Sequence, residues 1–209
     1  MGELYTRRRE WCYEVVMLRY VQRLIPAGSA PTGALVESLI ENPPTSPLGE
    51  HLLIPQVAWM VERDGTFVHV DDSERADLDL MRGTAEVTKL DAELSNESLD
   101  DLPGVNIATN GEYAAELLLD RDHLAALHDI LGYKVYLAAA PRRGRLLVGG
   151  VGAGIDGMRT FVEHAQREHD AAPIEERISP VTLLVRDAAP TAVVGELQLA
   201  VLAQAASER

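Results

Sequence analysis

Cysteine occurs once in 209 residues, at position 12, so no intramolecular disulfide can form and no cysteine-built zinc site can exist. The neighbours Trp11, Tyr13 and Val15 mark Cys12 as a small residue on a packing face, with no activating surroundings for a nucleophile. Aromatic residues make up only 5% of the chain, too few for the stacking platforms on which single-stranded nucleic acid is held. Positive charge is also in deficit: 19 Lys and Arg face 33 Asp and Glu, for a formal net charge of −14. Binding of nucleic acid depends on concentrated cations that neutralise phosphates, and this balance excludes it as a main role. An acidic surface serves solubility first and attraction of a basic partner second.

Long apolar runs are missing as well. The stretch that follows Arg7-Arg8-Arg9 is interrupted by Glu14, Arg19 and Arg23, which suits neither a signal peptide nor a membrane span, and the chain is expected in the cytoplasm. Several reaction signatures are absent too. There is no Gly-Lys-Ser/Thr of a phosphate loop, no H-E-x-x-H, no G-x-S-x-G elbow, and no alternating carboxylate pattern of a calcium loop.

What is present is the composition of a packed domain, 46% hydrophobic and rich in Leu, Val and Ala. Trp11, Val15, Leu18 and Ile25 fall at helical spacing, which predicts an amphipathic helix over the first 25 residues, ended by Pro26. A second short helix is expected from Pro31 to Ile40, with Ser29 as its cap. The irregular stretch Asn42 to Gly49 holds Pro43, Pro44 and Pro47 and reads as a linker. Residues 1–48 are therefore expected to form a helical segment with a Pro-rich linker, and residues 49–209 the main domain.

In that domain, Val57–Val61 and Thr66–Val70 flank Asp64-Gly65, a strong hairpin signal. Short helices are expected up to Met81 and again from Thr84. A second hairpin is predicted from Val105–Ala108 and Tyr113–Leu119 around Asn110-Gly111, followed by a helix capped by Asp120 or Asp122 and closed by Gly132. A third hairpin joins Lys134–Ala138 to Leu146–Val148 across Pro141–Gly144, and a helix carries Ile155, Met158, Val162 and Ala165 on one side. Val181–Val185 and Ala192–Val194 suggest a fourth pair of strands around Ala189-Pro190, and the tail from Glu196 leans helical. Hairpins imply antiparallel pairing, so the expected class is α+β: an antiparallel sheet built from hairpins with helices packed on it.

The order of these motifs resembles the YtpQ family, bacterial proteins of unknown function, from about Val57 to Val194. The residues that carry the resemblance begin with Asp120-Arg121-Asp122-His123-Leu124. They continue through Val135-Tyr136-Leu137-Ala138-Ala139-Ala140-Pro141-Arg142-Arg143 and Leu146-Leu147-Val148, and end with Ile178 to Asp187. Members are similar in a helix, a strand ending in Ala-Val-Pro, a polar turn, an aliphatic strand, a helix, and a strand introduced by Pro and Ser or Thr. The hairpin from Trp59 to Val70 also fits the family's middle. The resemblance implies this fold and a bacterial cytoplasmic setting, and it brings no catalytic residues. The glycine-rich run after Val148 departs from the family pattern.

Two candidate sites stand out. Gly152-Ala153-Gly154-Ile155-Asp156-Gly157 has the G-x-G-x-x-G spacing that lets backbone amides approach a pyrophosphate at a helix start. Its preceding strand looks like the second arm of a hairpin, however, and backbone packing or a turn is the simpler reading. Arg142, Arg143 and Arg145 form the densest basic spot of the domain and, with Gly152 and Gly154, could hold a phosphate or carboxylate. A solvated turn is again simpler. Among six histidines, His123 and His128, like His164 and His169, lie five apart and so on different faces of a helix; His164 and Glu168 share a face. No metal site and no cofactor are expected. The favoured function is a non-enzymatic binding or adaptor protein acting on another protein. The alternatives are a small-anion or nucleotide binder or enzyme using Arg142 to Gly157, and an immunity-type protein neutralising a basic partner. Convergence of the arginines and glycines on one concavity would separate the first two.

Overall fold

The computed structural model describes residues 20–40, 53–63, 66–77, 94–195 and 199–202, and shows two antiparallel sheets, two longer α-helices and a helical stretch at 199–202, where the tail was expected to be helical. The smaller sheet is organised around β3 (Gln56–Arg63), which pairs on one edge with β1 (Tyr20–Ile25) along its length. Two short strands share its other edge end to end. These are β2 (Val36–Ser38), opposite Gln56–Ala58, and β4 (Thr66–His69), opposite Met60–Arg63. The Val57–Val70 hairpin thus forms as its turn signal indicates.

The helical expectations for the N-terminal part do not hold where it is described. Tyr20–Ile25 is a strand, and Pro31 to Ile40 contains β2 instead of a helix. The physical reason is the partner: six consecutive residue pairs with β3 satisfy the backbone of β1 and bury Val21, Leu24 and Ile25. Helical spacing in so short a run is overridden by that pairing. Trp11, Val15, Leu18, the Pro-rich stretch 42–49 and the expected helices around Met81 and Thr84 lie outside the described residues, apart from a 3-10 turn at Asp72–Asp77. Strands β1 to β4 therefore form a sheet of their own, where one antiparallel sheet was expected for residues 49–209.

The larger sheet has six strands, all antiparallel. They are β5 (Ser95–Ser98), β6 (Asn106–Asn110), β7 (Val135–Arg142), β8 (Arg145–Gly150), β9 (Leu183–Arg186) and β10 (Ala189–Val193), in the order β10-β9-β7-β8-β6-β5. The β7–β8 hairpin matches the sequence pattern; β9 and β10 also pair, but their turn is Asp187-Ala188, and Ala189-Pro190, expected as the turn, opens β10. The hairpin expected around Asn110-Gly111 does not form. β6 pairs with β5 and β8, and Ala115–Leu119 is a 3-10 turn that buries Ala115, Leu117 and Leu118.

Helix α1 (Arg121–Leu131) starts at Asp120, whose carboxylate accepts from the amides of Asp122 and His123 at 2.9 and 3.1 Å, and ends at Gly132 in the left-handed conformation (φ 74°). Helix α2 (Gly154–Ala171) follows β8 after a single 3-10 turn. Side chains alternate along β7: Tyr136, Ala138 and Ala140 join α1 and Leu24 and Val57 of the smaller sheet, whereas Leu137 and Ala139 pack with Met158, Phe161 and Ala165 of α2. Both faces of the central strands are therefore covered, which is why β7 and β8 read as nearly continuous apolar runs. Burial on this scale contributes about 2 kcal/mol for each large aliphatic side chain.

Candidate functional site

Arg145 opens β8, and the sheet places it between Asn110 of β6 and Arg142 at the bulged end of β7. Its side chain is only 10% exposed, and a charge so buried destabilises the fold unless partners offset its lost hydration. Nε and Nη2 donate to the two oxygens of Glu168 on α2, at 3.0 and 2.8 Å. Nη1 donates to Glu97 of β5 at 3.0 Å and to Asn110 at 2.5 Å. His164, one helical turn before Glu168, shares a Glu168 oxygen at 3.1 Å.

The titrations follow from this geometry. Burial alone would push the guanidinium pKa of Arg145 down, but its hydrogen bonds to Glu168 and Glu97 leave it above the ordinary value. Burial likewise pushes Glu168 up, and the hydrogen bonds and charge of Arg145, helped by His164, bring it below the usual carboxylate range. Glu97, exposed on its edge strand, is lowered by its hydrogen bond to Arg145.

Next to this network is an open cleft of about 370 Å³, lined by Arg142, Arg145, Glu168, Ala171, Ala172, Pro173 and Glu176. The arginines expected to act together separate here. Arg142 and Arg145 line the cleft; Arg143 is exposed outside it, and its amide donates to the carbonyl of Glu176 at 2.8 Å. Arg142 keeps one weak contact, from Nη1 to the carbonyl of Arg143 at 3.4 Å.

The glycines sit elsewhere. Gly152 and Gly154 follow the far end of β8, about 16 Å from Arg145 at the usual rise of a strand. The ring of Tyr133 covers Gly152 so closely that a Cβ would lie 1.9 Å from its hydroxyl oxygen, and a Cβ at Gly157 would lie 2.3 Å from that of Ala153. Gly154 has a positive φ of 70° at the helix start, with open space where a Cβ would be. The strand before this run is antiparallel to both of its neighbours, so the strand–helix–strand unit of a dinucleotide site is not formed. The glycines serve close packing and a turn.

The sequence reading missed Glu97, Asn110 and Glu168 as partners of Arg145; only the shared helical face of His164 and Glu168 was visible. It also missed a second buried ion pair. Arg23 of β1 donates to Glu116 at 2.7 Å and lies over the ring of Tyr113 at 4.5 Å, joining the two sheets. Burial raises the Glu116 pKa despite the opposing effect of Arg23. Among the described residues, no group of three or more His, Cys, Asp or Glu is placed to hold a metal ion, and no helix is long and apolar enough to cross a membrane. No protein-family model, curated protein or solved structure matches the chain.

Proposed function

We propose that this chain is a non-enzymatic binding or adaptor protein of the bacterial cytoplasm that acts through contacts with another protein. One observation carries the reading: the strongest cationic centre, Arg145, is closed by Glu97, Asn110 and Glu168, at the end of β8 opposite the glycine run. The features that would make an anion pocket therefore do not meet, and recognition falls to the surface. With a net charge of −14, that surface favours a partner with a basic face. The resemblance to the YtpQ family agrees with this reading in bringing no catalytic residues.

The test has two arms. Chemical crosslinking of the full chain in an extract of the source cells is expected to capture a discrete protein partner whose recovery falls as salt rises. A panel of nucleotides and inorganic phosphate is expected to leave the melting temperature unchanged. A nucleotide-dependent rise in Tm that is abolished by Arg142→Ala and Arg143→Ala together would overturn the reading.

A further inference from the structure

The cleft beside Arg145 has lining charges that cancel. Arg145 is held by Glu168 through two hydrogen bonds and by Glu97 from outside the lining, which leaves Arg142 and Glu176 as the lining charges without a partner. Among the described residues, Arg142 has no carboxylate partner and the Glu176 side chain has no donor. A simple anion entering here would meet Glu176, and a simple cation would meet Arg142. Ala171, Ala172 and Pro173 complete the lining with small apolar side chains.

Both charged residues stand on fastened backbone. The amide of Arg143 donates to the carbonyl of Glu176 at 2.8 Å, and that of Ile178 to the carbonyl of Pro141 at 3.1 Å, so the segment after α2 is pinned to the end of β7. Arg177 ties down the turn from the other side, donating to the carbonyls of Ala172 and Asp170 at 3.0 and 2.6 Å. The cleft is thus preformed, and at about 370 Å³ it falls within the range of small-molecule sites.

We infer that this cleft is a binding site for a small zwitterion of the α-amino-acid type, with its carboxylate on Arg142, its ammonium on Glu176 and its side chain against Ala171, Ala172 and Pro173. A neutral ligand bearing both charges is the species whose charge pattern complements a neutral lining bearing both charges. This inference does not rest on the protein-binding reading and is tested independently of it.

The experiment is a titration of the full ¹⁵N-labelled chain with L-leucine, followed by the backbone amides of Ala171, Ala172 and Glu176. Saturable shifts confined to this region are expected. N-acetyl-leucine lacks the ammonium and leucinamide lacks the carboxylate, and each is expected to bind at least about tenfold more weakly, the usual loss when a charged group is left without its partner. Arg142→Ala is expected to abolish the shifts, and Glu176→Gln to remove the discrimination against N-acetyl-leucine. Both variants alter half-exposed side chains and leave the Arg145 network intact. No saturable shift with leucine, equal binding of N-acetyl-leucine by the wild type, or binding that survives Arg142→Ala would each overturn the inference.

Discussion

Arg145 holds Glu168 through both carboxylate oxygens, at 3.0 and 2.8 Å, across 23 residues of sequence. This pair joins β8 to the last turns of α2, and little of either side chain reaches solvent. Arg145→Met is expected to destabilise the fold by about 3 kcal/mol, because it leaves Glu168 charged and without its partner. Adding Glu168→Leu should restore part of that loss, so the double variant is more stable than the sum of the single ones. Urea unfolding of the four proteins measures it.

The same pair contributes to the acid side of the stability curve. The folded-state pKa of Glu168 lies below its ordinary value of 4.5, so near that pH the unfolded chain binds more protons than the native one. Its stabilisation is therefore complete above pH 4.5 and is lost as the pH falls through the folded value. Urea midpoints of Glu168→Gln are expected to fall less steeply than those of the wild type as the solution is acidified below that point.

His123 acts at higher pH. Burial lowers its pKa from the ordinary 6.5, against the pull of Asp120, and its Nε2 is buried without a partner. Neutral His123 is thus the form that suits the fold, and its contribution is present above pH 6.5 and declines as the pH falls through the lowered value. His123→Phe is expected to remove this part of the pH dependence, which thermal unfolding on both sides of that pH can follow.

How much of this was legible in sequence depended on distance along the chain. Asp64-Gly65, Pro141–Gly144, the Asp120 cap and Gly132 are local signals, and the β3–β4 hairpin, the β7–β8 hairpin and α1 lie where those signals point. The strand Tyr20–Ile25 read as helix because its fate is decided by β3, some thirty-five residues later. The site shows the same divide. The arginine cluster and the glycine spacing were visible, but the contact of Arg145 with Glu97 spans 48 residues and follows from the β8-β6-β5 order, which no local pattern encodes. The spacing G-x-G-x-x-G was legible without its meaning, because that meaning lies in Tyr133 packing on Gly152.

Gly152 provides a direct test of the packing account. A methyl group there meets the Tyr133 ring, so Gly152→Ala is expected to cost about 1–3 kcal/mol, the usual range for an overfilled contact. Tyr133→Ala removes the clash, and in that background the added methyl should cost much less. A double-mutant cycle in thermal stability separates the two cases.

The β9–β10 turn was misplaced in sequence because it lacks the usual residues. Arg186 pairs with Ala189, so the loop is Asp187-Ala188, and both residues have positive φ, 51° and 58°. A two-residue hairpin of this kind favours Asn-Gly, and alanine is strained there. Ala188→Gly is expected to stabilise the protein by about 1 kcal/mol, read as a higher urea midpoint.

The covering of β7 on both faces has a consequence for the chain as it is made. From Val135 to Ala140 the strand carries no charge, and β9, which closes its second edge, is synthesised only after the whole of α2. Until then an apolar, β-prone segment stands open to neighbouring chains, the kind of stretch from which aggregates grow. Lys134 before it and Arg143 after it bracket the segment with positive charge, and two nascent copies brought side by side would repel each other at both ends. The basic residue in the turn between β7 and β8 thus opposes edge-to-edge pairing of two such segments as well as closing the hairpin.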